Sequence, residues 1–517
     1  MSSQMQSLAP VHEHIVKRTG ADKKDAELCP SLYQINTRVL MQELGRNLGR
    51  AATLDDIPED YLNRLAQQNF DWVWFLGIWQ TGQAGRKVSR QNRQWLREYG
   101  EILPDFTQDD ICGSCFSITR YEANVDFGGN AALDRLRDRI HARGMKLLLD
   151  FVPNHTALDH EWVIQHPEFY VRGTEEKLRS EPQNYILLGD GDSSAVFAYG
   201  RDPYFDGWPD TVQLNYAEPT LQHAMIGELQ KIAQHCDGVR CDMAMLILPD
   251  VFERTWGLRP DSFWPRAIEA VRAFDPGFLF IAEVYWDLEW TLQQQGFSYT
   301  YDKRLYDRLH AGQARPVRDH FRAAMDFQMK SARFLENHDE PRAAAVFAPE
   351  QHRAAAVLTF LCPGLRFFHD GQFEGRKKKV PVHLGRRPDE PTDPSLVEFY
   401  EHLLACVNLP AVRTGSWSLL ECTPAWEGNW TWDCCIGFAW HGLSNERLVV
   451  VVNYAPNQSQ CYVHVPFADL NGRSVLLEDL LGHHTYERDT PEMSNRGLFL
   501  DLGGWGYHVF RVTPANQ

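Results

Sequence analysis

The chain has 517 residues, of which 44% are hydrophobic and 23% charged, a composition typical of a globular protein with about two to four domains. Its formal net charge of -17 argues against a nucleic-acid partner or an anionic membrane, because either would require basic patches. The first twenty residues lack an apolar core of signal-peptide length, and no later stretch is long enough to span a bilayer. We therefore expect a cytoplasmic protein with no nucleic-acid and no membrane partner.

The eleven cysteines show no repeating spacing. Cys112 and Cys115 form a lone CxxC pair, without a second pair or a histidine pair at zinc-binding spacing. Cys236, Cys241 and Cys362 stand in apolar runs, as small buried hydrophobic residues do. The cysteine pattern predicts reduced thiols and no metal site.

Apolar runs typical of strands alternate with amphipathic, helix-like stretches between residues 33 and 408. The eight candidate strands are 33–40, 71–79, 146–152, 238–244, 278–284, 297–301, 332–338 and 365–371. The helix-like stretches include 131–143, 219–235, 260–274 and 395–408. This alternation predicts a parallel sheet with helices outside it, and eight repeats predict a closed (β/α)8 barrel over residues 31–153 and 217–409. Residues 1–30 would then form an N-terminal extension.

Two further regions interrupt or follow the barrel pattern. Residues 154–216, rich in Gly, Asp, Pro and aromatic residues, interrupt the third βα unit and predict a small inserted lobe with a binding role. Over 410–517 the pattern changes to short strands separated by turn signals, which predicts a C-terminal antiparallel β-sandwich. The basic run RKKK at 376–379 is typical of a solvated loop.

Four short segments at the ends of predicted strands carry most of the chemistry. They are DFVPNH at 150–155, DGVRCDMA at 237–244, FIAEVYW at 280–286 and FLENHDE at 334–340. Because side chains alternate along a strand, Arg240 and Asp242 should lie on one face. Together with Glu283 and Asp339, Asp242 would stand at the carboxyl ends of three barrel strands, where barrel active sites form. Such a set suits a reaction that needs one carboxylate nucleophile and one carboxylic acid.

These four segments, in this order and at these spacings, resemble the α-amylase family of retaining glycoside hydrolases and transglycosylases. The resemblance extends from about residue 31 to the C-terminus. It implies an α/β fold: a (β/α)8 TIM barrel with an inserted lobe after the third strand and a C-terminal antiparallel β-sandwich. It also implies an enzyme that acts on O-glycosyl bonds.

The resemblance assigns the catalytic roles. Asp242 matches the nucleophile, Glu283 the general acid that later serves as base, and Asp339 the third carboxylate, which holds sugar hydroxyls. Arg240, on the face of Asp242, would favour the ionised nucleophile, and the apolar run before Glu283 would favour the protonated acid.

Six residues are expected to bind substrate, with Arg240 among them. His155 and His338 match histidines that hydrogen-bond hydroxyls of the sugar beside the scissile bond, and Asp150 matches an acid that orients the neighbouring arginine. Phe116 stands where many relatives have a tyrosine that stacks on the sugar, and Phe keeps the stacking face. Tyr285 should face the cleft, as should Trp79 and Trp286, because all three follow strands.

Asn154 matches a residue that binds structural calcium in many amylases. Capping of the turn into the lobe is an equally good reading of the same residue. Calcium requires several oxygen ligands, and the sequence does not supply the others. We therefore expect no required cofactor, with a structural calcium at Asn154 left open.

The sequence departs from the starch-degrading α-amylases directly after the nucleophile. Many of them have Lys-His where this chain has the apolar run 243–246, MAML, which would hold a sugar on the leaving side by apolar stacking. The first hypothesis is hydrolysis of α-1,4-glucosidic bonds in α-glucans or maltooligosaccharides through a covalent glycosyl-Asp intermediate. The alternatives are a transglycosylase of the glucanotransferase, maltosyltransferase or glucoside isomerase type, and a non-catalytic amylase-like carbohydrate-binding protein. The three intact carboxylates argue against the last, while chain-length preference, acceptor and oligomeric state stay open.

Overall fold

The computed structural model describes residues 29–189, 194–465, 470 and 473–515. The predicted N-terminal extension, 1–30, lies outside the described residues except for its last two positions. Within the described part of the chain, no helix is long and apolar enough to cross a membrane.

Eight parallel strands close into a barrel, which confirms the predicted fold class. In chain order they are Ser31–Asn36, Trp72–Leu76, Lys146–Phe151, Gly238–Cys241, Leu279–Ala282, Tyr299–Tyr301, Ser331–Arg333 and Leu365–His369. Each overlaps one of the eight predicted runs, and the first and the seventh begin two residues and one residue before their runs. The last strand pairs with the first, Ser31 opposite Arg366, and this pairing closes the sheet.

The first strand is shorter at its end than the sequence predicts. Residues 37–40 are helical, because the Asn36 side chain accepts a hydrogen bond from the Val39 amide at 3.3 Å and caps the helix Thr37–Leu48. Leu40 of that turn belongs to the hydrophobic core of the barrel and so continues the hydrophobic run without continuing the strand.

Helices follow the barrel strands and cover the outer face of the sheet. The helices of eight residues or more are Thr37–Leu48, Glu59–Gln67, Gln83–Gln91, Arg93–Ile102, Gly129–His141, Pro219–Ile232, Pro249–Trp256, Trp264–Arg272, Lys303–His310, Pro349–Phe360 and Pro394–Val407. Shorter ones are Trp162–Gln165, Glu175–Ser180, Glu289–Gln294, Ala314–His320, Met325–Met329, Ala343–Val346, Pro410–Thr414 and Thr490–Arg496.

Two insertions rise from the carboxyl ends of the strands. After the second barrel strand, the strands Trp79–Thr81 and Ile118–Ala123 form an antiparallel pair that the sequence did not reveal. After the third, the lobe contains two short helices and two antiparallel pairs of strands, His155–Ala157 with Thr211–Gln213 and Tyr185–Leu188 with Ala195–Ala198. Because His155 opens the first of these strands, the base of the lobe adjoins the end of the barrel.

The C-terminal region is an antiparallel β-domain made of two sheets. The six-stranded sheet contains Ser416–Leu420, Cys435–His441, Arg447–Asn453, Tyr507–Pro514, Ser474–Asp479 and Thr485–Asp489, and the three-stranded sheet contains Cys422–Pro424, Ser459–Val463 and Leu498–Leu502. Trp440 donates its indole N–H to the Leu361 carbonyl at 2.7 Å, which fastens the larger sheet to the barrel. All eleven cysteines are free thiols.

Candidate active site

Three strand ends place the predicted carboxylates in one site. Asp242 directly follows the fourth barrel strand and Glu283 directly follows the fifth, while Asp339 stands in the loop after the seventh. Arg240 pairs in register with Ile281 of the fifth strand. Since the strands are parallel and level, their carboxyl ends meet at the same edge of the barrel.

Arg240 connects the three carboxylates. This residue is fully buried, and its Nη1 lies 2.5 Å from Asp242 Oδ1. Its Nη2 lies 2.7 Å from Glu283 Oε2 and 3.7 Å from Asp339 Oδ2. A buried guanidinium is costly unless carboxylates compensate its charge, and here several do so. The ring of Phe116 adds a cation–π contact, with its centroid 5.2 Å from the Arg240 carbon Cζ.

Glu283 combines burial with several polar contacts. It is 3% exposed, its Oε2 accepts from the Met243 amide at 2.7 Å, and its Oε1 accepts from the Tyr285 hydroxyl at 2.9 Å. Burial raises the pKa of Glu283 to about 8, and Arg240 opposes this shift while Asp242 reinforces it. Glu283 is therefore largely a neutral carboxylic acid at pH 7, the form that can donate a proton.

Asp339 has the opposite electrostatic environment. Gln34 Nε2 lies 2.8 Å from His338 Nδ1, so the amide donates to that ring nitrogen and the ring hydrogen is left on Nε2, which lies 2.9 Å from Asp339 Oδ2. Burial would raise the pKa of Asp339, but His338 and Arg240 outweigh it and hold the pKa at about 2. With 39% of its side chain exposed, Asp339 is the most accessible of the three carboxylates.

Asp150 lies beside Arg240, but its carboxylate forms hydrogen bonds with other groups. The two residues are register partners on neighbouring strands. The Asp150 carboxylate accepts from the Trp74 indole at 3.1 Å and from the Gly77 amide at 2.7 Å. Burial raises the pKa of Asp150 to about 6, opposed by the charge of Arg240. Asp150 thus acts on the arginine through its charge while its hydrogen bonds fix the second barrel strand.

His155 lies at the junction of the barrel and the lobe. Its side chain is 4% exposed, its ring centroid is 5.2 Å from that of Trp208, and its Nδ1 is 3.4 Å from the Asn154 side-chain amide nitrogen. Burial lowers the pKa of His155 to about 4, so the ring is neutral at pH 7 and can donate or accept a hydrogen bond.

Phe116 and Tyr285 form part of the wall of the site. The Phe116 ring is 5.5 Å from the His338 ring, and Tyr285 is half-buried beside Glu283. Trp79, expected in the cleft, is fully buried, with its indole N–H donating to the Asp150 carbonyl at 2.7 Å. It lies in the core because it begins the first strand of the antiparallel pair that follows the second barrel strand, a pair that the sequence did not reveal.

The apolar run after the nucleophile does not form the expected stacking surface. Met245 is fully buried and Leu246 is 3% exposed, since both lie in a short helical turn that packs into the core. Only Met243 is partly exposed. It adopts a left-handed backbone conformation with φ of 43°, which directs its amide toward Glu283.

Several residues of the site were missed by the sequence analysis. Gln34 interrupts a buried apolar strand, and a polar side chain in that context indicates a partner. Tyr301 ends the sixth barrel strand, and Arg240 Nε donates to its hydroxyl at 3.4 Å. Lys379 belongs to the basic run taken for a solvated loop, yet its Nζ donates to the Asp339 carbonyl at 2.8 Å. That basic run therefore reaches the active site.

The surroundings of Asn154 do not fit a calcium ion. Gln213 Nε2 donates to the side-chain oxygen of Asn154, to its carbonyl and to the Leu214 carbonyl, each at 3.0 Å. An amide nitrogen thus occupies the point where these oxygens converge. Across the described ranges, no group of three or more His, Cys, Asp and Glu side chains could hold a metal.

Comparison with known proteins adds to this geometry. The family model described as "Alpha amylase, catalytic domain" matches residues 115–390, just over half of the chain. The chain belongs to the alpha-amylase family. The prediction of an enzyme of this family is thereby confirmed.

Individual relatives match only part of their own length. The chain is 26% identical to the alpha-amylase MalA of Haloarcula japonica over 300 residues, which cover 56% of this chain and 39% of MalA. It is 49% identical to the oligo-1,6-glucosidase of Heyndrickxia coagulans over 134 residues, 26% of this chain and 19% of that enzyme. The alignments therefore span well under two thirds of either relative.

Solved structures resemble the whole described fold. The maltogenic alpha-amylase AmyB from Thermotoga neapolitana gives a TM-score of 0.66 at 18% identity, covering 94% of this chain and 99% of AmyB. An alpha-amylase from Lactobacillus plantarum gives a TM-score of 0.64 at 20% identity, with 94% and 100% covered. At this identity, the likeness shows the fold: a barrel with a C-terminal β-domain.

Proposed function

We propose that the protein hydrolyses α-1,4-glucosidic bonds of α-glucans or maltooligosaccharides with retention of configuration. The observation that carries the proposal is the pair formed by Asp242 and Glu283. Both contact the guanidinium of Arg240, and burial raises the pKa of Glu283 so that this group stays largely protonated. A carboxylate beside a carboxylic acid is the pair that a retaining glycosidase uses.

The first step breaks the glycosidic bond. Glu283 donates its proton to the leaving oxygen, while Asp242 attacks the anomeric carbon and forms a glycosyl ester. Asp339, ionised and exposed toward solvent, accepts hydrogen bonds from sugar hydroxyls, the neutral His155 ring donates or accepts one, and the N–H at Nε2 of His338 donates one. During this step the negative charge of Asp242 disappears and one appears on Glu283. The positive charge of Arg240 lies close to both groups and stabilises this shift of negative charge.

The second step transfers the glycosyl group. Glu283, now a carboxylate, takes a proton from water, whose oxygen replaces Asp242 at the anomeric carbon. Two inversions restore the α configuration.

One observation favours a second candidate, a transglycosylase. The ring of Tyr204, from the lobe, lies 5.0 Å from the ring of Trp286, which follows Glu283 by three positions. Tyr204 is 59% exposed, so the two rings offer an apolar wall on which an acceptor sugar could stack. An acceptor bound there would compete with water for the glycosyl ester.

A panel of maltooligosaccharides separates these functions. We expect shorter sugars and new reducing ends at low substrate concentration, with the α anomer formed first, as proton NMR of the fresh product shows. Longer products without released reducing sugar would move the assignment to a transglycosylase. Formation of the β anomer first would refute retention of configuration. Full activity of the Asp242→Asn variant would show that Asp242 is not the nucleophile.

We also propose a cytoplasmic location. The thiols of Cys422, Cys435 and Cys461 lie together in the core of the C-terminal domain without forming a disulfide. Neighbouring free thiols of this kind fit a reducing compartment.

A further inference from the structure

A small cationic cavity adjoins the active site on the side of the first and last barrel strands. It is lined by Asn36, His338, Arg342 and His369 and by residues of the loop that follows the last strand, 370–390, and its volume is about 30 Å³. Lys379 connects the cavity to the site, because it lines the cavity while its Nζ contacts the Asp339 carbonyl. A group bound here would lie next to the sugar that Asp339 holds.

Positive charge is concentrated on the walls of this cavity. Five cationic side chains line it, against two carboxylates, Asp370 and Glu390. The five are Arg342, Arg376, Lys378, Lys379 and Arg387. The whole chain carries a net charge of -17, so general composition does not account for such a cluster. A cavity whose walls carry mainly positive charge attracts negatively charged ligands.

The two carboxylates are already engaged. Asp370 lies 2.7 Å from Arg387 and accepts from the Tyr33 hydroxyl at 3.2 Å. Glu390 accepts from the backbone amides of Lys377 and Lys378, at 2.7 and 3.2 Å, and thereby holds the loop. Asp370 is therefore paired with Arg387, while Glu390 binds backbone amides of the loop and pairs with none of its cationic side chains.

Three of the cations lack a carboxylate partner. Arg387 pairs with Glu43 as well as Asp370, and Arg342 pairs with Glu336 at 2.9 Å. Over the ranges that the structure describes, Arg376, Lys378 and Lys379 form no ion pair. Three cationic side chains that line one small cavity are therefore not held in an ion pair with a carboxylate.

Buried hydrogen-bonding atoms on the same walls also lack partners. His369 is 8% exposed and Arg342 is 4% exposed, and neither His369 Nδ1 nor Arg342 Nε has a hydrogen-bond partner among the described residues. The same is true of Arg376 Nε. Burying such atoms unsatisfied is unfavourable, so an acceptor that enters the cavity gains bonds that the protein does not provide.

The backbone is shaped to bring two guanidinium groups together. Gly371 has φ of 88°, and a Cβ at this position would collide with the side chains of both Arg342 and Arg376. Glycine therefore permits two like charges to approach each other at the cavity wall. Such an arrangement is unfavourable by itself and becomes favourable with an anion between the charges.

We propose that this cavity binds an oxyanion carried by the sugar substrate, either a phosphate monoester or a carboxylate. The proposal deepens the proposed function and rests on it for the placement of the sugar beside Asp339. Guanidinium and ammonium groups are the donors that recognise such oxyanions, and the cavity is too small for a sugar ring together with its neighbours. The α-glucan or maltooligosaccharide that is the natural substrate would thus carry an anionic substituent.

Direct binding to the full-length protein tests the inference. Isothermal titration would compare glucose 6-phosphate and glucuronate with neutral glucose, and inorganic phosphate would serve as the free oxyanion. We expect at least one anionic sugar to bind about tenfold or more tightly than glucose, with affinity falling as salt is added. The stronger of the two anionic sugars identifies the substituent.

Matched variants on one loop locate the binding. Lys378→Ala should weaken binding of the anionic sugar about tenfold, and Arg376→Ala should do the same. Lys377→Ala is the control, because Lys377 is exposed on the same loop and lines a different cavity. Lys378 is also exposed, so Lys378→Ala should fold normally even if Arg376→Ala does not, and thermal unfolding checks both.

Equal affinities for neutral and anionic sugars would overturn the inference. So would an equal loss of binding in Lys377→Ala and Lys378→Ala, or tight binding of inorganic phosphate without preference for an anionic sugar. Cleavage of neutral maltooligosaccharides is measured in parallel. If neutral sugars are cleaved and anionic sugars are not preferred, the inference alone fails. If anionic sugars bind and no glucoside is cleaved, the proposed function fails.

Discussion

A single buried arginine, Arg240, contacts the carboxylates of Asp242 and Glu283 and lies near that of Asp339. Identical chemical groups around one cation nevertheless differ in protonation, because burial dominates at Glu283 and the His338 contact dominates at Asp339. The surroundings of each group therefore decide whether it serves as a carboxylic acid or as a carboxylate.

The pH dependence of activity should report Glu283. Its pKa is raised to about 8, so the proton needed for bond cleavage is present below this pH and is lost above it. We expect kcat/KM for maltotriose to fall as the pH rises through about 8. Glu283→Gln should strongly impair maltotriose cleavage, spare activated aryl glucosides at the glycosylation step, and abolish the alkaline decline for them. An unchanged alkaline decline in this variant would assign the proton to another group.

Calcium should have no effect on stability. Gln213 Nε2 occupies the point where the Asn154 and Leu214 oxygens converge, so its amide supplies the cross-link that a cation would otherwise provide. We expect the same Tm, within about 1 °C, in excess EDTA and in millimolar calcium. A calcium-dependent rise of Tm of several degrees would contradict this reading.

Residue-level prediction succeeded where several residues shared a motif. Asp242, Glu283 and Asp339 could be placed together because strand ends and their order define one edge of the barrel. Trp79 was misplaced and Gln34 was missed, because neither depends on a local pattern. Trp79 is buried because its strand pairs with a strand that is distant in sequence. The partner of Gln34 is His338, 304 positions away.

At the level of elements, the eight barrel strands could be predicted because buried parallel strands are short apolar runs between helices. The start of the helix at Thr37 could not be predicted, because the apolar residues of the first helical turn continue the apolar run of the first strand. The insert between the second and third barrel strands was also missed. Its two strands are short and lie 36 residues apart, so no local turn signal connects them.

The entry into the last barrel strand depends on Gly364. Its φ is 102°, and a Cβ there would collide with the Ser331 backbone carbonyl of the neighbouring strand. Gly364→Ala should therefore lower the free energy of unfolding by about 3 kcal/mol or more, as measured by urea denaturation.

A matched glycine provides the control. Gly227 lies within the helix Pro219–Ile232, and a Cβ there meets nothing within 4 Å. Gly227→Ala should raise the free energy of unfolding by about 0.5–1 kcal/mol. A similar, small effect of both substitutions would show that Gly364 is not conformationally required.

At the scale of the whole molecule, the hydrophobic core of the barrel extends into the C-terminal domain and includes Phe438, Trp440 and Val450 from the larger sheet, while a second core lies within that domain. Besides the Trp440 contact, Tyr454 donates its hydroxyl to the Leu309 carbonyl at 2.6 Å, and Arg318 pairs with Asp433. We infer that the two parts unfold together.

Calorimetry of Trp440→Ala tests this coupling. Removal of the buried ring and its hydrogen bond should lower the free energy of unfolding by about 3–5 kcal/mol and shift a single transition to lower temperature. Trp426→Ala, at a position that is 55% exposed, should leave Tm almost unchanged. Two separate transitions, of which only one moves, would show that the barrel and the C-terminal domain unfold independently.

The central claim is that Asp242 forms a covalent glycosyl ester. The most direct measurement is reaction with 5-fluoro-α-glucosyl fluoride, followed by proteolysis and mass spectrometry of the peptides. Fluorine at C5 destabilises both transition states, while the good leaving group lets the first step proceed, so the ester accumulates. We predict one fluoroglucosyl group on the peptide that contains Asp242, with no label in Asp242→Asn. Label on another carboxylate, or turnover of the wild-type enzyme through a β product without any covalent label, would contradict the account.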